Sequence, residues 1–170
     1  MRILWRAGIG AIACRLVGGC SLFLAASLLG AEGEWTLEFP GEPTRAVVAA
    51  DGRVVIGLRF PSRSRPLPEV DSVVSLSPQG QKLWAYPTQY GVVSAPVIGP
   101  GGIVYFTHTR VSPAPMGDYL TALDPAGSLI WSRRVSAASF AGPEISVGAD
   151  GMIVVQASGL SAYFENGSQI

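Results

Sequence analysis

Beyond residue 31 the apolar positions fall into short runs rich in valine, isoleucine, leucine and aromatic residues, each closed by a turn. The middle of the chain is clearest. Ser94–Ile98, Ile103–Thr107, Tyr119–Leu123 and Leu129–Ser132 read as four strands, with turns at Gly101-Gly102 and at Asp124–Gly127. β-Branched and aromatic side chains suit a pleated surface, and glycine at a turn supplies a positive φ without steric cost. The same pattern places strands near Arg45–Ala49, Arg53–Leu58, Ser72–Leu76 and Lys82–Tyr86. It places others near Glu144–Val147, Met152–Gln156 and Leu160–Phe164, with a further strand begun at Ser168–Ile170. No segment after residue 31 keeps a helical period over three turns, so the fold class expected is all-β.

These strands belong to a repeat. Trp35, Trp84 and Trp131 recur 49 and 47 residues apart. Turns at Asp51-Gly52, Gly101-Gly102 and Asp150-Gly151 keep nearly the same spacing, and Gln79-Gly80, Ala126-Gly127 and Asn166-Gly167 form a second set. A fixed period in the forties, filled by four antiparallel strands, predicts blades of a β-propeller. Trp35, Trp84, Trp131, Gly52, Gly102 and Gly151 are the structural positions of that repeat.

The residues also carry a family resemblance. Ala122-Leu-Asp-Pro-Ala-Gly127, Trp131, Ala141-Gly-Pro143 and Asp150-Gly-Met-Ile-Val-Val155 resemble the PQQ-type repeat of quinoprotein-like propellers, and the second copy is similar through Ser75–Gly80, Trp84 and Pro96. The resemblance spans about residues 34–170 and implies that each tryptophan packs between neighbouring blades. About three blades are present, whereas closed propellers usually have four or more. An incomplete propeller is therefore expected, either as a fragment of a longer reading frame or as a chain that completes its ring by self-association. An open blade edge would otherwise invite aggregation.

Charge separates the first 31 residues from the rest. Arg2, Arg6 and Arg15 precede an uncharged apolar run from Leu16 to Ala31, shorter than a membrane-spanning helix needs. Residues 1–31 read as a signal peptide, with an uncleaved N-terminal anchor as the alternative, and 32–170 as the propeller repeats. Val17-Gly-Gly-Cys20 resembles a lipobox, which would lipidate Cys20. The expected location is periplasmic or extracellular. Both cysteines, Cys14 and Cys20, lie in the leader, so the remainder has no disulfide or thiol chemistry. All 12 acidic residues and 9 of the 12 basic ones lie beyond residue 31. That acidic excess argues against nucleic acid as a partner.

Two long, proline-rich insertions, Phe60–Asp71 and His108–Asp118, fall between second and third strands. They define a loop face on which binding is expected. Arg59, Arg63, Arg65, His108, Arg110 and Asp118 are its candidate binding residues. The arginines suit a carboxylate or phosphate through charge-assisted hydrogen bonds, although a solvated basic loop would carry the same residues. His108 is the single histidine, and no metal-ligand spacing or nucleophile elbow accompanies it. No catalytic residue, metal or cofactor is expected. The function expected is an exported, noncatalytic scaffold that binds a protein partner through its loop face, similar to the propeller lipoprotein of the outer-membrane assembly machinery. The alternative is a fragment of a PQQ-dependent quinoprotein dehydrogenase, whose resemblance would imply a vicinal cysteine pair and calcium-binding carboxylates that do not align here.

Overall fold

A strand covered on both faces should be apolar at consecutive positions, because successive side chains point to opposite sides. Val54 to Leu58 have that character and are buried throughout. The computed structural model describes residues 2–8, 11–17, 35–39, 41–59, 72–88, 94–110, 115–137, 143–157 and 159–170, the first two ranges as backbone only.

The described strands are β1 (Arg2–Gly8), β2 (Ala11–Val17), β3 (Trp35–Glu38), β4 (Glu42–Pro43), β5 (Val47–Val48), β6 (Val54–Arg59), β7 (Ser72–Leu76) and β8 (Lys82–Pro87). They continue as β9 (Val97–Ile98), β10 (Val104–Arg110), β11 (Gly117–Leu123), β12 (Leu129–Ser136), β13 (Glu144–Val147), β14 (Ile153–Gln156) and β15 (Leu160–Tyr163). All pairings are antiparallel. The first blade orders its strands β4-β6-β7-β8, with β5 also on β6; the second runs β9-β10-β11-β12 and the third β13-β14-β15. A smaller sheet, β2-β1-β3, precedes them. The chain is all-β, with three blade-like sheets matching the repeat copies and no closed ring among the described residues.

Three apolar layers hold the stack together. Trp35, Leu37 and Phe39 pack on Val54, Ile56, Leu58, Val74 and Leu76. The opposite face of the first blade, Val55 and Val73, meets Val104, Phe106 and Leu123 of the second. Tyr105, Leu120 and Ala122 then face Ile153, Val155 and Tyr163 of the third. The outermost strands β8 and β12 are largely exposed and carry Lys82, Arg133 and Arg134.

The tryptophans join adjacent sheets. The indole N–H of Trp35 donates to the Pro78 carbonyl at 2.7 Å, that of Trp84 to Pro125 at 3.0 Å, and that of Trp131 to Glu165 at 2.8 Å. Each ring lies against the glycine of the turn it reaches. A Cβ on Gly127 would stand 2.5 Å from the Trp84 ring, and Gly80 and Gly167 meet Trp35 and Trp131 in the same way. Gly52, Gly102 and Gly151 hold the positive φ expected of their turns.

Four boundaries differ from the sequence expectation. The inner strand expected over Arg45–Ala49 shortens to β5, with β4 lying ahead of its expected start, and the one expected over Ser94–Ile98 shortens to β9. Both breaks have one cause. The Thr44 hydroxyl accepts from the Gly57 N–H at 3.0 Å, and the Ser94 hydroxyl accepts from the Thr107 N–H at 2.9 Å. A side-chain oxygen thus takes the place of the backbone carbonyl as acceptor, while the Thr44 and Ser94 N–H groups still donate to the Gly57 and Thr107 carbonyls. The third difference is the insertion expected over His108–Asp118. β10 runs on to Arg110 and β11 starts at Gly117, so His108 and Asp118 are strand residues rather than loop residues. Finally, Ser168–Ile170 is not a fourth strand but an isolated bridge between Tyr163 and Gln169, with Ile170 N–H donating to Ala162.

Candidate functional site

In a propeller the first strand of each blade lies nearest the axis. Here the three inner segments converge on a polar cleft of about 520 Å³. Glu42, Pro43, Thr44 and Arg45 line it from the first blade, Ser94, Ala95 and Val97 from the second, and Glu144, Ile145 and Ser146 from the third, with Arg59 at the end of β6. Glu42 and Arg59 are opposite one another in the β4–β6 register. Glu42, Arg45, Glu144 and Ser146 are exposed. The cleft is therefore lined by two arginines, two glutamates and three hydroxyls, of which those of Thr44 and Ser94 are already held by backbone groups.

Consecutive residues of one strand cannot line a cleft through side chains alone, because the side chains alternate. Glu42 to Arg45 and Glu144 to Ser146 are unbroken runs, so the walls are strand edges. The lining is backbone as well as side chain.

The other sequence candidates lie elsewhere. His108 sits in β10 and is only 5% exposed. Its Nε2 is 3.2 Å from the Thr121 hydroxyl, which is 2.8 Å from the Ser132 hydroxyl. Its Nδ1 is buried without a hydrogen-bond partner. The ring packs between Phe106 and Tyr119 at centroid distances of 5.8 Å each. Burial, reinforced by the Arg110 charge and opposed by Asp118, pushes the imidazole down to about 4. At neutral pH His108 is thus an uncharged member of the junction between the first two blades.

Arg110 follows on the same face, with its guanidinium carbon 4.8 Å from the Tyr119 ring centroid, a cation–π geometry. Burial raises the pKa of Tyr86, with the Arg110 charge acting against it, which places that cation near the first blade too. Asp118 points to the opposite face, fully buried. Its two oxygens accept from the Thr109 and Ser136 hydroxyls, each at 2.7 Å. It ties three strands of the second blade together.

Of the four candidate binding residues among the described residues, only Arg59 lines the axial cleft. His108 and Arg110 belong to one face of the second blade and Asp118 to the other, while Arg63 and Arg65 lie outside the described residues. Sequence reasoning missed Glu42, Thr44, Arg45, Ser94 and Glu144. A signal for two of them was present: Thr44 and Ser94 are 50 residues apart, and so are Gly57 and Thr107, the residues their hydroxyls cap. Among the described residues no group of three or more histidine, cysteine or acidic side chains is placed to hold a metal, and no helix is long and apolar enough to cross a membrane. In comparison with known proteins, no family model matches the chain, and no curated protein matches it.

Proposed function

We propose that the chain is an exported, noncatalytic β-propeller repeat protein that serves as a binding or scaffold module and takes a protein partner at its axial cleft. The observation that carries the reading is the cleft itself. It gathers exposed Glu42 and Arg45 from the first blade and Glu144 from the third, around strand edges, at the place where a propeller's inner strands meet. The polar groups His108, Thr121 and Asp118, by contrast, are turned into sheet packing and hydrogen-bonded within it. They act as structure and leave recognition to the cleft. Export follows from the basic start and apolar run of residues 1–31.

Site-specific photo-crosslinking in the source cells tests this. A photoreactive residue in place of Arg45, in the cleft, should yield a discrete adduct. The same residue in place of Ala126, an exposed turn position on the opposite side of the blade, should not. Equal labelling at both positions, or none at the cleft, would refute the cleft as the partner site.

A further inference from the structure

The three inner edges differ in what their backbones still offer. In β4, Pro43 has no N–H, and the Thr44 N–H donates to the Gly57 carbonyl at 2.7 Å. In the second blade the Ser94 N–H donates to Thr107 at 2.9 Å, the Ser94 hydroxyl lies 3.2 Å from the Ala95 carbonyl, and Pro96 follows. Proline and local capping are the usual means of blunting a strand edge. At the cleft β13 is different: three residues before its turn, Ile145 stands where the second blade has Pro96, and the equivalent Ala46 of the first blade does not line the cleft.

The direction of each β13 amide follows from register. The Gly148 N–H donates to the Met152 carbonyl at 2.8 Å, so that pair is hydrogen-bonded. Hydrogen-bonded and non-bonded pairs alternate in an antiparallel ladder. Ser146–Val154 and Glu144–Gln156 are then bonded pairs, and Ile145–Val155 and Val147–Ile153 are not. Ile145 and Val147 turn N–H and C=O away from β14. Ile145 does so where β13 lines the cleft. Beside it the Glu144 side chain is exposed and has no ion-pair partner among the described residues.

We infer that the cleft binds an extended peptide segment of its partner, which adds as a further strand to the β13 edge through the Ile145 amide and carbonyl, with a basic residue set beside Glu144. This rests on the proposed function and specifies its ligand. Strand addition draws affinity from main-chain hydrogen bonds and selectivity from alternate side chains. Cross-strand neighbours of opposite charge are favoured and like charges disfavoured. Glu144 thus discriminates between a basic and an acidic neighbour, while the Ile145 peptide group sets the register.

Titration of the isotope-labelled full chain with two blocked five-residue probes tests this. One has the order threonine-valine-lysine-valine-threonine, and the other replaces lysine with glutamate. Saturable binding of the lysine probe is expected, with amide exchange of Ile145 slowed at least about tenfold, and with binding at least about fivefold weaker for the glutamate probe. Ile145→Pro, which removes an N–H with no backbone partner among the described residues, should abolish binding while the rest of the spectrum persists. Glu144→Lys, at an exposed position, should reverse the probe preference and serves where Ile145→Pro does not fold. No saturable binding of either probe, binding without protection of Ile145, or an unchanged preference in Glu144→Lys would each overturn strand addition. A cleft-specific crosslink at position 45 would survive that result, and its absence would defeat the cleft reading instead.

Discussion

Each repeat tryptophan needs a glycine opposite it, for two separable reasons. Gly127 has φ +85° and lies against the Trp84 ring, whereas Gly101 has φ +65° and no atom within 4 Å of a would-be Cβ. Alanine at Gly101 therefore pays only the left-handed backbone cost, about 1 kcal/mol. Alanine at Gly127 adds a steric clash at a sheet junction, for a total of about 3 kcal/mol. Urea unfolding of both variants should show that gap, and equal losses would mean the tryptophan ring yields. His108 makes a second residue-scale prediction. Its folded pKa of about 4 lies below the ordinary 6.5, so between those values the unfolded chain binds a proton that the folded chain does not. Stability contributed by neutral His108 is full above pH 6.5 and falls as pH drops toward 4, by up to about 3 kcal/mol. The Arg110 charge and Tyr119 ring on the imidazole's own face, and the Asp118 charge on the opposite face, remain in His108→Gln, which should flatten that part of the profile.

At the scale of elements, the hydroxyl caps set where the inner strands break. Ser94→Ala leaves the Thr107 N–H, on a fully buried residue, without its acceptor, and should cost about 1–3 kcal/mol. Faster hydrogen exchange at Thr107, with little change at the distant Val154, would confirm the local origin. The strands themselves were legible from sequence because Val54–Leu58 and Val104–Phe106 are continuous apolar runs just after a turn glycine, a pattern that survives without knowledge of neighbours. The ends of the strands were not legible. His108, Thr109, Arg110 and Asp118 look like loop residues by polarity, yet the strand accommodates them because Thr121, Ser132, Ser136 and the Tyr119 ring supply their partners from adjacent strands. The cleft was largely hidden for a related reason. Glu42, Ser94 and Glu144 lie about 50 residues apart, and only the radial arrangement of the blades brings them together.

For the whole molecule, each apolar layer joins only neighbouring sheets, so stability should be a sum of sheet and junction contributions, as in other repeat architectures. Val155→Ala, in the layer between the second and third blades, should cost about 2 kcal/mol. Native-state hydrogen exchange should show the loss at Val154 and Ala162 and leave Val55 and Val73, two sheets away, at their original protection. Uniform loss across all sheets would mean the stack unfolds as one cooperative unit. The indole contacts also give this arrangement an optical signature. Trp35, Trp84 and Trp131 each report one junction, since each is half-buried with its N–H on a carbonyl of the next sheet. A chain keeping one of these tryptophans, with Trp5 and the other two replaced by phenylalanine, has an emission colour that follows the wetting of a single seam. Three such chains heated side by side would show which seam parts first, and so which way the stack peels.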